Sequence, residues 1–386
     1  MNSVFPIDAE RALLIARVNM PSLGAVLALA MPDALYDMSS IAPTSADLLA
    51  MDDPAAQIAA KRAQLPKLAD MQSVLENSVL STPDLSKPYL LAPCDLQPIK
   101  AAGVTFVASM LERVIEEQAR GDASRALAVR EKVSKVIGDN LKAIVPGSEK
   151  AMQVKALLVE MGLWSQYLEV GIGKDAEVFT KSQAMSAVGF GAQIGIHPES
   201  QWNNPEPEVV LAVSPQGVVQ GVTLGNDVNL RDIEGRSALL LGKAKDNNAS
   251  CAIGPFIRLF DAHFSMDDVR QCEIALNVTG QDGFVMEGSS SMSQISRDPL
   301  DLVAQTINAN HQYPDGFMLF CGTMFAPTKD RFGAGQGFTH AVGDSVTVSS
   351  PRLGALTNTV NTCDEITPWT YGSRALMRDL VKRNLL

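Results

Sequence analysis

Three acidic side chains stand where local geometry alone could bring them together. In Pro205-Glu206-Pro207-Glu208-Val209-Val210-Leu211-Ala212-Val213 the apolar run reads as a strand, and residues two apart on a strand share a face. Glu206 and Glu208 therefore point the same way. The two prolines fall at the strand start, where a missing N–H is tolerated. A turn sequence, Ser214-Pro215-Gln216-Gly217, leads into a returning run over 218–224 and then Gly225-Asn226-Asp227. A hairpin symmetric about Pro215-Gln216 sets position 206 opposite 225 and 208 opposite 223, so that Asp227 lies one same-face step beyond Glu206. A one-residue bulge would spoil that parity. Three clustered carboxylates repel one another unless a cation joins them, and an all-oxygen set suits Mg²⁺, Mn²⁺ or Ca²⁺ rather than zinc. Spacing alone also fits a solvated acidic strand edge.

The elements that must position these residues follow from pattern. The 386 residues suffice for two domains, or one large domain with a smaller attachment. With 46% hydrophobic and 19% charged residues, a packed core is expected rather than disorder. In the first ninety or so residues, runs 13–17 and 25–29 read as strands. Thr44 reads as the cap of a short helix over 44–49, and Pro54 opens a second that reaches 65. A Pro-containing stretch over 81–98 reads as a linker. From 104 to 118 the spacing is helical, with Val107, Met110, Leu111, Val114 and Ile115 on one side, and further helices are expected over 124–144 and 148–163. Beyond about 168, β-rich runs dominate at 208–213, 218–224, 274–279, 316–321 and 345–349, with a helix over 300–308 between them. This predicts a mostly antiparallel β core carrying helices, not a βαβ repeat.

Charge and cysteine usage exclude several function classes. A net charge of −11 argues against nonspecific nucleic-acid binding, yet leaves room for an anionic small substrate beside a few local cations. Cys94, Cys251, Cys272, Cys321 and Cys363 show no CxxC spacing and read as buried thiols of a reducing compartment. The chain opens with no basic-then-apolar leader, and its longest apolar run, near 23–31, stops at Pro32, short of the about 20 residues of a membrane span. A soluble cytoplasmic protein is expected, with no membrane partner.

Pro205-Glu206-Pro207-Glu208 followed by Gly225-Asn226-Asp227-Val228-Asn229-Leu230-Arg231-Asp232 resembles the fumarylacetoacetate hydrolase superfamily. There an E-x-E strand and a GND-V-x-x-RD segment precede a lysine upstream of Gly-Pro, which Lys245 and Gly254-Pro255 match here. Asn277-Val278-Thr279-Gly280, Met292, Gly322-Thr323, Gly343-Asp344 and Leu353-Gly354-Ala355-Leu356 are similar to later family segments, so the resemblance covers roughly residues 95 to 362. It implies an α+β fold: a mixed β-roll core with peripheral helices over 91–386, preceded by a smaller N-terminal α+β domain over 1–90. It implies a divalent metal, most readily Mg²⁺, on Glu206, Glu208 and Asp227, and a 2-keto acid that chelates it. Arg231 and Lys245 would face that substrate, Thr323 would bind its carboxylate, and Lys181 in Phe179-Thr180-Lys181-Ser182 matches a family position near the metal. A homodimer or homotetramer is implied as well.

One departure changes the expected reaction. Hydrolase members carry a lid helix whose histidine and glutamate activate water. In the matching Gly103-Val104-Thr105-Phe106-Val107-Ala108-Ser109-Met110-Leu111-Glu112-Arg113, Ser109 stands in place of the histidine while Glu112 is kept, and His197, His263, His311 and His340 lie far away in sequence. The segment and the longer N-terminal part resemble a branch that dehydrates 2-keto-3-deoxypentonates (xylonate or arabinonate) to 2,5-dioxopentanoate, α-ketoglutarate semialdehyde. Such a hydro-lyase works through a metal-bound enolate and needs a base at C3 and an acid at the C4 oxygen, but no activated water. Lys245 is the first candidate base, with a substrate ion pair as its other reading. Glu112 is the candidate at C4, with Glu116 one turn on in reserve. Ser109 either orients a hydroxyl of the substrate or serves as a capping residue. Two alternatives stay open: a C–C hydrolase of 2,4-diketo acids, which would release a cleaved acid, and a non-catalytic binding protein on the same fold.

Overall fold

The computed structural model describes residues 4–126, 128, 144–160, 162, 164–324 and 327–386. Strands β1 (Leu14–Met20) and β2 (Gly24–Ala30) form a hairpin over the first two apolar runs. β3 (Ala34–Asp37) and β4 (Lys67–Asp70) extend it outward. Thr44 caps α1 (Ser45–Leu49) by accepting from Asp47 N, and Pro54 opens α2 (Pro54–Lys61) behind the Asp53 cap. α3 (Met71–Ser78) follows. The stretch read as a linker instead carries β5 (Tyr89–Leu91), which pairs with β1. Three residues are too short to show a strand period, so the prolines around them dominated the reading.

Next come β6 (Ile99–Gly103) and α4 (Val107–Ala119). The expected apolar side of α4 is the buried one: Met110, Val114 and Ile115 sit in a cluster with Val107 and Leu111 packed against it. α5 (Glu149–Glu160) and α6 (Gln166–Ile172) complete that helical layer. Most of the helix expected over 124–144 lies outside the described residues.

The remaining strands are β7 (Glu177–Ser182), β8 (Gln193–Ile196), β9 (Asn203–Asn204), β10 (Pro207–Val213), β11 (Val219–Asp227), β12 (Asn229–Leu230), β13 (Cys251–Leu259), β14 (Glu273–Thr279), β15 (Val285–Ser291), β16 (Phe317–Phe320), β17 (Ser345–Ser350) and β18 (Gly354–Thr362). Two short helices, α7 (Arg231–Glu234) and α8 (Leu241–Lys245), separate β12 from β13. One sheet has the order β4-β3-β2-β1-β13-β11-β10-β16-β6-β7, with β5 beside β1; a second runs β15-β14-β17-β18-β8. The pairings are antiparallel except β16 with β6 and β18 with β8. This mixed β core with peripheral helices is the α+β fold that the sequence pattern pointed to.

The carboxylate hairpin lies near the middle of the larger sheet and is covered on both faces. Val209 and Leu211 of β10 join one core cluster, Val210 and Ala212 the other. Each such Val or Leu contributes about 1.5–3 kcal/mol of burial, which fixes the register on which the acidic residues depend. β13 is buried along its whole length, yet the sequence did not announce it. Gly254-Pro255 argues against a central strand, because proline cannot donate to a ladder. The structure resolves this with a register shift opposite the proline, between Val222 and Leu224 of β11. Among the described residues, no helix is long and apolar enough to cross a membrane.

Candidate metal centre

Glu206 and Glu208 begin β10, and Asp227 ends β11. Pro207 pairs with Asn226 and Glu208 with Gly225, while Asp227 N donates to Glu206 O at 3.0 Å. Asp227 is thus directly opposite Glu206, two residues away from the register of a symmetric turn. Two offsets of one residue combine. The turn closes with Ser214 N donating to Val218 O at 2.8 Å, and a bulge follows between Ala212 and Val213. Either alone would reverse the parity; together they restore it, and all three carboxylates share one face. Each offers an oxygen within 4.8 Å of the others, and all three are buried.

Cations crowd the same end of the sheet. Lys245, at the last turn of α8, places Nζ 2.5 Å from Glu206 Oε2 and 2.9 Å from Asp227 Oδ2. Lys181 of β7 reaches Asp227 Oδ1 at 2.8 Å and donates to the carbonyls of Val228 and Lys245. From α4, Arg113 pairs with Glu206, with Glu116 at 2.7 Å and with Glu234 at 2.9 Å. Arg231 Nε lies 3.1 Å from Glu116 Oε1, and its Nη1 donates to Pro327 O at 3.0 Å. Its Nη2 is buried without a hydrogen-bond partner among the described residues. The guanidinium therefore has a donor to spare at this site.

Burial and like charge shape the protonation of the cluster. Burial, then Asp227 and Glu206, push Glu208 well above the usual carboxylate range, against one donation from Gly322 N at 2.7 Å. Gly322 has φ of +98°, and a Cβ there would fall 2.0 Å from Thr105 Oγ1, so this close backbone approach requires glycine. Burial would lower Lys245, but Asp227 and Glu206 outweigh it and hold the side chain as ammonium. Burial raises Glu116, with Arg113 and Arg231 opposing.

The sequence-derived residues do not all converge. Lys181 and Lys245 meet the carboxylates of the triad. Arg231 pairs with Glu116, which is joined to Glu206 through Arg113. Glu112 is half-buried on the same helix and is not among the three carboxylates that pair with Arg113. Ser109 donates its hydroxyl to Phe106 O at 2.9 Å, a bond back onto its own helix rather than a cap. Thr323 is buried beside Gly322 on the loop that leaves β16.

Two acidic residues at the site were not singled out in the sequence. Glu234 closes α7 and shares Arg113. Glu177 begins β7, and burial, then Glu234, raise its carboxyl to about 7, with Arg113, Lys245 and Glu206 also acting on it. A Cβ on Gly103 would lie 1.9 Å from Glu177 Oε2, so glycine on the paired strand gives this side chain its place. Sequence spacing gave no clean signal for it: Glu177 and Lys181 are four apart, but the strand has a register shift at Lys181 that breaks simple alternation.

The residues fit a divalent cation. Six carboxylates (Glu116, Glu177, Glu206, Glu208, Asp227, Glu234) face four cations (Arg113, Lys181, Arg231, Lys245), so full ionisation leaves two negative charges. Lys245 pairs with Glu206 and Asp227 and Lys181 with Asp227, and neither lysine is paired with Glu208. Glu208, the acid most strongly held protonated, is the ligand that gains most from a metal. An oxygen-only set of this kind takes a hard ion such as Mg²⁺.

Comparison with known proteins agrees with this geometry. Residues 174–361 match the fumarylacetoacetate (FAA) hydrolase C-terminal family. A probable 2-keto-3-deoxyxylonate dehydratase of Haloferax volcanii is 28% identical over 215 residues, 56% of this chain and 68% of that protein. A 2-dehydro-3-deoxy-D-arabinonate dehydratase of Saccharolobus solfataricus is 30% identical over 155 residues, 40% of this chain and 51% of that protein. Among solved structures, a 2-keto-3-deoxy-D-arabinonate dehydratase complexed with magnesium and 2,5-dioxopentanoate superposes with a TM-score of 0.59 at 19% identity, covering 91% of this chain and 99% of that one. That likeness shows the fold.

Proposed function

We propose that this chain, whose residues 174–361 match the fumarylacetoacetate hydrolase C-terminal family, is a member of that superfamily that dehydrates a 2-keto-3-deoxypentonate to 2,5-dioxopentanoate with the help of a divalent metal. The observation that carries this reading is the pairing of a buried carboxylate triad with a carboxyl that titrates near neutrality, Glu177. None of the four histidines hydrogen-bonds or ion-pairs with the cluster, and Ser109 is spent on the helix backbone. The site offers proton transfer rather than a histidine-activated water.

A divalent metal on Glu206, Glu208 and Asp227 supplies Lewis acidity to a 2-keto oxygen, which acidifies the neighbouring C3 protons. The protein's own groups do the rest. Glu177 takes a proton from C3 and returns it to the C4 hydroxyl, which leaves as water. A group poised near the working pH suits both transfers. Removal of a C5 proton and reprotonation at C3 then turn the enone into a C4–C5 enol, which loses its hydroxyl proton and gains one at C4 to become the C5 aldehyde. Lys245, held as ammonium, serves as a positive anchor beside the keto acid rather than as the base. Arg231 Nη2 and Thr323 hold substrate oxygens. Arg113 and Glu116 seal the site from α4, and Glu112 has no step.

The test is direct. The protein is incubated with Mg²⁺ and each 2-keto-3-deoxypentonate, and the products are identified by NMR. The expected product is 2,5-dioxopentanoate, and the stereoisomer turned over identifies the substrate. Release of pyruvate or another cleaved acid would overturn the dehydratase reading in favour of a hydrolase, and no turnover of any keto acid would sink both.

A further inference from the structure

A second cavity, of about 370 Å³, lies behind the metal centre and shares none of its residues. It opens between the β1–β5 edge, the segment over 185–193 and the C-terminal stretch over 366–371. Its walls are aromatic, from Tyr89, Phe190, Trp369 and Tyr371. The polar tips of two of these are already engaged: Tyr371 donates to Asp379 Oδ2 at 2.7 Å, and Trp369 Nε1 donates to Tyr371 O at 2.8 Å. Their ring surfaces are what remain to be offered.

The cavity carries no acidic lining residue, and its one charged side chain is Arg17. That guanidinium is committed, donating to Ala92 O at 3.2 Å and Cys94 O at 2.5 Å and lying 3.6 Å from Asp95. A charged ligand would find no free counter-ion among the lining residues, whereas an uncharged ring compound would meet four aromatic side chains with uncharged hydrogen-bonding groups such as Asn19 and Gln193 beside them. The volume falls within the 300–1,000 Å³ usual for small-molecule sites. We infer that this cavity binds an uncharged aromatic ring compound and that its occupancy is felt at the metal centre.

The coupling has a physical route. Two of its lining segments continue directly from the two site lysines. Met185 and Ser186 follow Lys181 on one chain segment, and Asn248 and Ala249 follow Lys245 on the other. The segments are tied together: Lys181 Nζ donates to Lys245 O at 2.5 Å, and the hydroxyls of Ser182 and Ser186 lie 2.5 Å apart. Asn248 Nδ2 binds the opposite wall through the carbonyls of Cys363 at 3.2 Å and Ile366 at 3.3 Å. Anything that spreads or tightens these walls moves the backbone that carries both ammonium groups.

The test uses the full chain and needs no turnover. N-phenyl-1-naphthylamine, an uncharged fluorescent ring compound, is titrated into the protein, and Mn²⁺ affinity is measured by electron paramagnetic resonance with and without saturating probe. We expect a saturable fluorescence rise with one site per chain. Ala192→Trp, which fills the cavity, and Trp369→Ala, which removes a wall, are each expected to weaken it at least tenfold, with circular dichroism confirming the fold. Mn²⁺ affinity should shift severalfold in the parent and not in the folded variants. A non-saturable rise, or binding unchanged in both variants, overturns the site; binding with no shift in Mn²⁺ affinity overturns the coupling. Since Mn²⁺ binding is read without substrate, these results stand apart from whether the dehydratase reading holds.

Discussion

Two buried clusters in this protein use the same kinds of side chain to opposite ends. At the mouth of β10 and β11, acids outnumber bases, Glu208 is pushed up, and Arg231 retains an unpartnered Nη2. Ahead of β17, Arg331 makes a two-pronged pair with Asp344 at 2.6 and 2.8 Å, His340 Nδ1 lies 3.1 Å from Asp344 Oδ2, and Ala341 N donates to the same oxygen at 3.0 Å. Burial would raise Asp344, but His340 and Arg331 more than offset it and bring the carboxyl to about 2. Both oxygens of Asp344 are filled, and Arg331 has a further counter-charge in Asp282, so this cluster is a structural clamp even though His340 Nε2 has no hydrogen-bond partner among the described residues. The cluster at β10 and β11 differs in gathering three carboxylates within 4.8 Å of one another with too few cations to match the acids around them, which is the arrangement a cation completes.

That contrast can be broken by substitution. The largest effect is expected from Glu208→Gln. Losing one of three ligands should lower Mg²⁺ or Mn²⁺ affinity by about 100-fold or more and abolish turnover. The repulsion within the triad is relieved, so the metal-free variant should melt at or above the parent. Calorimetric titration and a melting curve check both, and a variant that binds metal normally would remove the triad from the site. Chelation of the parent with EDTA should silence it in the same way, with activity returning on addition of Mg²⁺.

Glu177→Gln should cost about 10²–10⁴-fold in kcat while metal affinity is retained. As a base at C3, Glu177 must be ionised. The parent's kcat should therefore rise with pH along an acid limb centred at or below about 7, because a bound cation pulls the carboxyl down. The glutamine variant should lack that limb. A parent profile flat from pH 5 to 8 would assign the proton transfers elsewhere.

In the matched cluster the expected response is stability instead. Asp344→Asn removes the buried counter-charge of Arg331 and leaves it the half-exposed Asp282, and should destabilise the fold by up to about 3 kcal/mol, with Mn²⁺ affinity unchanged at temperatures below the transition. The pH dependence follows from the depressed carboxyl. Its folded value lies below its unfolded one, so its stabilisation is present above pH about 4 and is lost as pH falls toward about 2. Acid melts of the parent should show that slope, and the asparagine variant should show less of it. The smallest effect is expected at Ser109→Ala, about 1 kcal/mol from the lost bond to Phe106 O and kcat within twofold. A large loss of kcat would return Ser109 to the substrate.

Much of the site was legible because its signals are local. The E-x-E spacing on a strand and the Asn226-Asp227 exit of the returning strand are read from short stretches of chain, while Arg231 and Lys245 follow from the family resemblance. The apolar side of α4 and the strands of the antiparallel core were read from short stretches too. β13 and β5 were not. In β13 a Gly-Pro pair masks the strand, and β5 has too few residues to display a period. Glu112 and Glu116 illustrate the limit within one helix. Their spacing allowed either to face the site, and the pairing of Glu116 with Arg113 and Arg231 separates them.

The sequence by itself determined that Glu206 and Glu208 share a strand face and that the segment forming α4 has no histidine, since side-chain alternation and residue identity are local properties. Only the tertiary structure decided the register that puts Asp227 across from Glu206, because two separate one-residue offsets had to cancel. Only it could show that Lys245 is locked between two carboxylates, and that burial, Glu234 of α7 and Glu206 beside β10 raise Glu177 to about 7 against the opposing pull of Arg113 from α4 and Lys245 from α8. Proton affinity is set by burial and by charges close in space, and those neighbours come from segments up to about seventy residues away along the chain.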